Sequence, residues 1–323
     1  MCYPKEKASM DQQRTIWTVI IAAVIVITVV VSAMAYQSTQ NLADLSENNP
    51  TDLEPYRALT FDLNLPPLSS ARYVLWVVDE AGQYTLIKEF MVNDALFTTD
   101  LTGRPLSTSV DVEDFDLHQA ESFMVTIEAK EGAVTAPSST IVLQTKQRSG
   151  ASYRLKFPHD LAKAVGSYIL ATPTNGPSTA ELSGVWFAAP AGLQLPTLPD
   201  SWLYAAWLKQ GQTWLPIGAF TSATAADDRA QFSGPRAGYE SPGEDFLTNA
   251  RVSDPVFPLD LTADSTEVVI TLQPKGLGTS GDRPLYYLPL LQAPVAPTAV
   301  TNTAYDLAAV ETMPSGVIRI ITR

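Results

Sequence analysis

YVLWVVDEAGQYTLIKEF at residues 73–90 and YAAWLKQGQTWLPIGAF at residues 204–220 are two versions of one unit. Tyr73, Trp76 and Phe90 of the first correspond to Tyr204, Trp207 and Phe220 of the second at a nearly constant spacing. Further along, MVTIEAK (124–130) matches VITLQPK (269–275), pairing Thr126 with Thr271 and Ile127 with Leu272 at a wider spacing. The widening places a long loop in the second copy near residues 221–255, because repeats keep their strands and vary their loops. Two motifs recurring in the same order at a domain-sized interval mark a duplicated domain, and the period is too long for a solenoid.

Each unit reads as a strand, a turn with Gly82 or Gly211, a second strand ending in Phe, a polar stretch and a further strand, which is the pattern of β-hairpins. Both alternating faces of residues 73–78 are apolar, as expected of a central strand covered on both sides. The chain has 24 Pro, 17 Gly and 17% charged residues, with Val, Thr, Leu and Tyr in short runs rather than helical stripes. The expected class is mainly β. Short helices are expected at most at 117–123 and 160–165. At 323 residues the chain is long enough for two cores.

Upstream, residues 16–36, IWTVIIAAVIVITVVVSAMAY, carry no charge and would span about 31 Å as a helix. Trp17 and Tyr36 stand at its ends, and Lys5, Lys7 and Arg14 precede it, whereas the next basic residue is Arg57. This predicts a signal anchor with residues 1–15 as a short cytoplasmic tail and the bulk of the chain outside the cytoplasm at the cell membrane. The rival reading is a cleaved signal peptide, with Ala33-Met34-Ala35 as the cleavage pattern. In both readings residues from Gln37 onward are exported. Residues 37–51 are polar and turn-rich, a flexible stalk. The first domain is expected over 52–158, the second over 166–292, and 293–323 as an extended tail whose end, GVIRIITR, is either one more edge strand, for which it alternates well enough, or a disordered tail with a hydrophobic end.

Cys2 is the only cysteine, so the exported part has neither a disulfide nor a thiolate metal site. Three of the 21 basic residues but only two of the 34 acidic ones precede the apolar segment, leaving the exported part more acidic than the chain's −13. That argues against nucleic acid as a partner.

The units also carry a family resemblance. Y-x-x-W, a hydrophobic strand ending in G-x-F or E-F, and V-T-[IL]-[EQ]-x resemble the C-terminal exported domain of anti-sigma-K factors. SGVWF, LPTLPDSWLYAAW, SPGEDF and VVITLQP of the second copy are similar to a wider group of bacterial envelope proteins. The resemblance implies two tandem immunoglobulin-like β-sandwiches outside the membrane, and it brings no catalytic residues with it. The chain departs from a complete anti-sigma factor in having only MCYPKEKASMDQQR before the apolar segment, where such factors carry a helical sigma-binding domain.

Chemistry-bearing patterns are sparse. GLGTSG at 276–281 follows a strand-like run but is followed by DRPLYYLPLL, with no helix to receive a pyrophosphate, so it reads as a hairpin turn. Asp111, Glu113, Asp114 and Asp116, and the loop acids Asp227, Asp228, Glu240, Glu244 and Asp245, offer oxygen ligands of the kind calcium takes, without any known loop spacing. The plainer reading of both groups is solvated acidic loop. His118 and His159 are the only histidines, and no nucleophile elbow, zinc pair or P-loop occurs. Trp202, Tyr204, Trp207 and Trp214, with Trp186 and Phe187, read first as core and second as partner anchors. No catalytic, cofactor or metal site is therefore expected. The expectation is a non-catalytic sensing or docking module with a protein partner; the alternative is a structural envelope protein that self-associates.

Overall fold

The shared residues of the two units form the same contacts twice. In the computed structural model, which describes residues 58–176, 179–248, 255–263, 265–277 and 283–321, the molecule is mainly β. The tail, the apolar segment 16–36 and the stalk 37–51 lie outside the described residues. Among the described residues no helix is long and apolar enough to cross a membrane.

The first repeat supplies β1 (Ala58–Asn64), β2 (Leu68–Asp79), β3 (Tyr84–Val92), β4 (Thr98–Thr99), β5 (Ser109–Asp111), β6 (Ala120–Ala129), β7 (Ile141–Ser149) and β8 (Ser152–Lys156). The second supplies β9 (Val165–Leu170), β10 (Gly184–Trp186), β11 (Gly192–Gln194), β12 (Trp202–Gln210), β13 (Thr213–Phe220) and β14 (Gly243–Asp245). It continues with β15 (Thr266–Pro274), β16 (Leu288–Pro294) and β17 (Tyr305–Ala309), and β18 (Ser315–Ile321) follows. Of the two short helices expected, 117–119 is a single 3-10 turn capped by Asp116, and 160–165 is a turn leading into β9.

β2 lies between β3 and β6, and β12 lies between β13 and β15, all antiparallel. Tyr73 sits opposite Phe90 and Ile127, and Tyr204 opposite Phe220 and Leu272, so the residues matched in sequence occupy matched positions. The Trp76 indole N–H donates to Thr126 Oγ1 at 2.9 Å, and that of Trp207 to Thr271 Oγ1 at 3.2 Å. Tyr73 donates to the Pro66 carbonyl at 2.8 Å and Tyr204 to that of Pro196 at 2.6 Å. These bonds explain why Tyr, Trp and Thr recur together: each buried ring has a polar atom that must find a partner. Each hairpin also carries a β-bulge in the same place, with Ile87 and Ile217 as the extra residues.

The first sheet runs β4-β3-β2-β6-β7-β8-β18-β1-β5, and the second β13-β12-β15-β16-β17-β9-β10-β14 with β11 on β9. Phe61 of β1 stacks on Phe90 of β3, although these strands are far apart in the sheet order. The sheet therefore folds back on itself in the manner of a β-sandwich, with its apolar face inside.

Two expectations need correction. The tail expected over 293–323 holds β17 and β18, and β18 is no edge: it lies between β8 and β1 of the first repeat. In the second repeat the corresponding place is empty of strand, since β17 pairs directly with β9. The two expected cores are joined as well. One apolar cluster runs from Leu59 to Ile320 through both repeats, and Pro55–Arg323 is one compact unit. At the junction Trp202 meets Phe157 edge-on, and Tyr286 is buried against Trp202 and beside Tyr73. Burial, with Tyr286 next to it, holds the Tyr73 phenol well above its usual pKa.

Ile318 of β18 is fully buried in this core. Ile318→Ala is expected to lower stability by about 2–5 kcal/mol in urea unfolding followed by circular dichroism. A residue in a free tail would cost nothing.

Candidate functional site

The hairpin loops of the first repeat share one design. In 79–83 and 100–104 an Asp opens the turn, its Oδ1 accepting the backbone N–H four residues on, and a Gly occupies the left-handed position: Gly82 (φ 75°) and Gly103 (φ 87°). Residues 93–97 repeat it, with Asn93 Oδ1 accepting from Ala95 N at 3.1 Å and Phe97 N at 3.0 Å. Here, however, the left-handed position is Leu96, at φ 65°. A side chain in that conformation costs about 1–2 kcal/mol, which Gly avoids. Leu96 is 63% exposed and Phe97 68% exposed, so neither gains burial that would offset the strain. Leu96 thus keeps an apolar side chain in water at a backbone cost.

Leu96 stands at the rim shared by two concavities. One, of about 260 Å³, lies where the repeats meet. Its walls are the Pro66–Pro67 link after β1, the start of β16 with Tyr287 and Pro289, and the link before β18 with Met313 and Pro314. Pro66, Pro67 and Pro314 lie in the links between strands and lack N–H groups, which leaves this part of the wall apolar. The hydrogen bond from Tyr73 to Pro66 holds one side in place. The second concavity, about 560 Å³, runs from Leu96 and Phe97 past Leu63 to Leu106. A third, about 270 Å³, adjoins the first through Pro67 and Tyr287 and is bounded by Trp214, Arg283 and Asp94. Together they form a groove across the junction with few ionisable groups, suited to an apolar or extended partner segment.

The long loop of the second repeat has a different chemistry. Glu244 and Asp245 of β14 are fully buried, and Asp227 is half-buried. Asp245 accepts from Trp186 Nε1 at 2.6 Å, from Thr174 N at 2.8 Å and from the Thr174 hydroxyl. Glu244 accepts from the Ser233 hydroxyl and from Phe232 N at 3.3 Å, and Asp227 accepts from Gly243 N and Arg229 N, both at 2.8 Å. The Trp186 ring packs over Gly238 and Gly243, where a Cβ would overlap it, and meets Tyr239 edge-on. The carboxylates thus clasp the loop onto β10 and the turn that follows β9. Burial pushes Glu244 up to about 7 and Asp227 up to about 6, and it raises Asp245 as well.

These acids correct the reading of the loop as solvated: Glu240 and Asp228 are exposed, but Asp228 accepts from Ala219 N at 2.7 Å and pairs with Arg229. Asp111, Glu113 and Asp114 are exposed, and Asp116 accepts from the backbone and ring nitrogens of His118. Burial lowers the pKa of His159, which packs on Phe157. Among the described residues no group of three His, Cys, Asp or Glu is placed to hold a metal ion. GLGTSG lies largely outside the described residues. Trp202, Tyr204, Trp207, Trp186 and Phe187 are core, whereas Trp214 is half-buried, with Lys209 over its ring, and borders the groove. No protein family, curated protein or solved structure matches the chain.

Because Glu244 and Asp227 hold protons when folded that the unfolded chain releases, stability falls as pH rises through about 6–7 and is regained toward about 5. Below the ordinary carboxylate range both states are protonated and these groups contribute no further change. Glu244→Gln is expected to flatten this slope, read as urea midpoints across pH.

Proposed function

We propose that this chain is a non-catalytic, membrane-anchored envelope protein that docks a protein partner through the groove at the junction of its repeats. The observation that carries this reading is Leu96, an exposed leucine at a turn position that Gly fills in two sister turns of the same repeat. The groove it overlooks has apolar and aromatic walls, the composition in which partner anchors are seated. The apolar segment 16–36 supports anchoring, with the N-terminus inside and the repeats outside. Tyr73, Trp76 and Thr126, repeated as Tyr204, Trp207 and Thr271, support the finer reading of each repeat as an immunoglobulin-like sandwich related to the exported part of anti-sigma-K factors. Under that reading the chain carries the sensing or docking part of a regulator.

The second reading is a structural envelope protein without a regulatory role. It draws on the insertion of β18, which ties both repeats into one compact unit.

Leu96→Gly separates stability from docking. The variant is expected to be as stable as the parent or more stable by about 1 kcal/mol, as strain is released. Crosslinking in native membranes, affinity capture and mass spectrometry should then show a specific polypeptide captured by the parent and lost from the variant. A sigma factor or an anti-sigma subunit in that position would support regulation. Identical capture by both chains would sink the docking reading, and recovery of only this chain and abundant envelope proteins would favour the structural one.

A further inference from the structure

β18 belongs to the second repeat by covalent connection and to the first by every strand pairing it makes. Seven residue pairs join it to β1 and five to β8, and none joins it to β9–β17. The second repeat shows that this sheet closes without such a strand, because β17 pairs with β9 directly. The first repeat has instead opened between β8 and β1, and the opening is selective. Ile318 and Ile320 point into the core. Gly316 lies against Leu63 and the Asp62 carbonyl, where a Cβ would sit 2.4 Å and 3.0 Å from them. The opening thus accepts Gly followed by alternating aliphatic residues. The link from β17 to β18 is five residues long; Glu311 and Thr312 are exposed, and Thr312, Met313 and Pro314 border the open groove.

We propose that the cleft between β8 and β1 is a strand-accepting slot, and that two copies of this chain fill each other's slots by exchanging residues 315–321. The contacts are the same whether the strand arrives from the same chain or from another, so the two forms differ only in the course of the link. A short tether keeps a strand at an effective concentration on the order of mM. Dilute chains therefore fill their own slots, and exchange takes over where copies fold close together. The outer edges of the sheets are poor alternatives: β13 has Pro216, which lacks an N–H, and the other ends, β4, β5 and β14, are strands of two or three residues. The slot is thus the place where this fold pairs with an added strand, and the occupant it fits is a second copy.

Thr60 and Arg319 face each other across β1 and β18. Opposite residues of antiparallel strands are close enough for a disulfide, and with Cys2→Ser no other thiol is present. Two differently tagged full-length chains, one Thr60→Cys and one Arg319→Cys, are coexpressed in the same cells and oxidised in place. The expected result is a disulfide-linked pair carrying both tags, reduced at least about tenfold when the Arg319→Cys copy also carries Gly316→Val. A single chain with both cysteines, expressed at a low level, should close within itself. Internal closure in that chain with no mixed pair in the coexpressed cells would overturn exchange. Failure of the double-cysteine chain to close would overturn the placement of β18 on which exchange rests, and a mixed pair indifferent to Gly316→Val would show contact outside the slot.

Discussion

The pairing of β18 with β1 and β8 is the constraint on which the rest of the fold depends. Without it, two strands in the middle of a sheet would each present a row of unsatisfied backbone groups, and Leu63, Leu155 and Tyr153 would lose cover. The same pairing draws the second repeat back onto the first. It thereby brings the Pro66–Pro67 link, the start of β16 and the link before β18 together as the walls of one groove. The candidate docking site is a product of this return of the chain and belongs to neither repeat alone.

The two functional features use opposite physics. The groove keeps its apolar rim in water by holding Leu96 in a conformation that most side chains avoid. The clasp of the long loop keeps carboxyl groups out of water, satisfied by hydroxyls and backbone N–H groups; the nearby ion pair joins Arg229 to Asp228 rather than to Glu244 or Asp245. Buried acids of this kind prefer to be neutral. The hold of the loop therefore changes with acidity, whereas the groove is walled largely by prolines and aromatic and aliphatic side chains.

How much of this was legible in the sequence follows from what each residue contacts. Tyr73, Trp76, Phe90 and Thr126 reveal the duplication because they meet in pairs within a local set of strands, Tyr73 with Phe90 and Trp76 with Thr126, so their pattern had to be copied whole. GVIRIITR disclosed a strand, but a strand's alternation says nothing about which sheet receives it, and β18 pairs with β1 from the far end of the described chain. The reading of a solvated loop fails because Glu244 and Asp245 stand in a Ser-, Pro- and Gly-rich stretch, whereas the partners of Asp245, Thr174 and Trp186, come from other elements and those of Glu244, Ser233 and Phe232, stand eleven and twelve residues before it. Leu96 was overlooked although a signal existed. Setting NDALF beside DEAGQ and DLTGR shows the same turn three times, with Leu replacing Gly once.

The position of Ala58 opposite Ile321 has a mechanical meaning. Tension entering the fold at Ala58 and directed along β1 would pull that strand lengthwise between β18 and β5, loading all seven of its pairings with β18 in shear at the same time. Because β18 is continuous with the second repeat, part of that load passes to the far half of the molecule without crossing the first core. A fold closed in this way resists being drawn open by a pull on Ala58, because load on β1 reaches both repeats through β18.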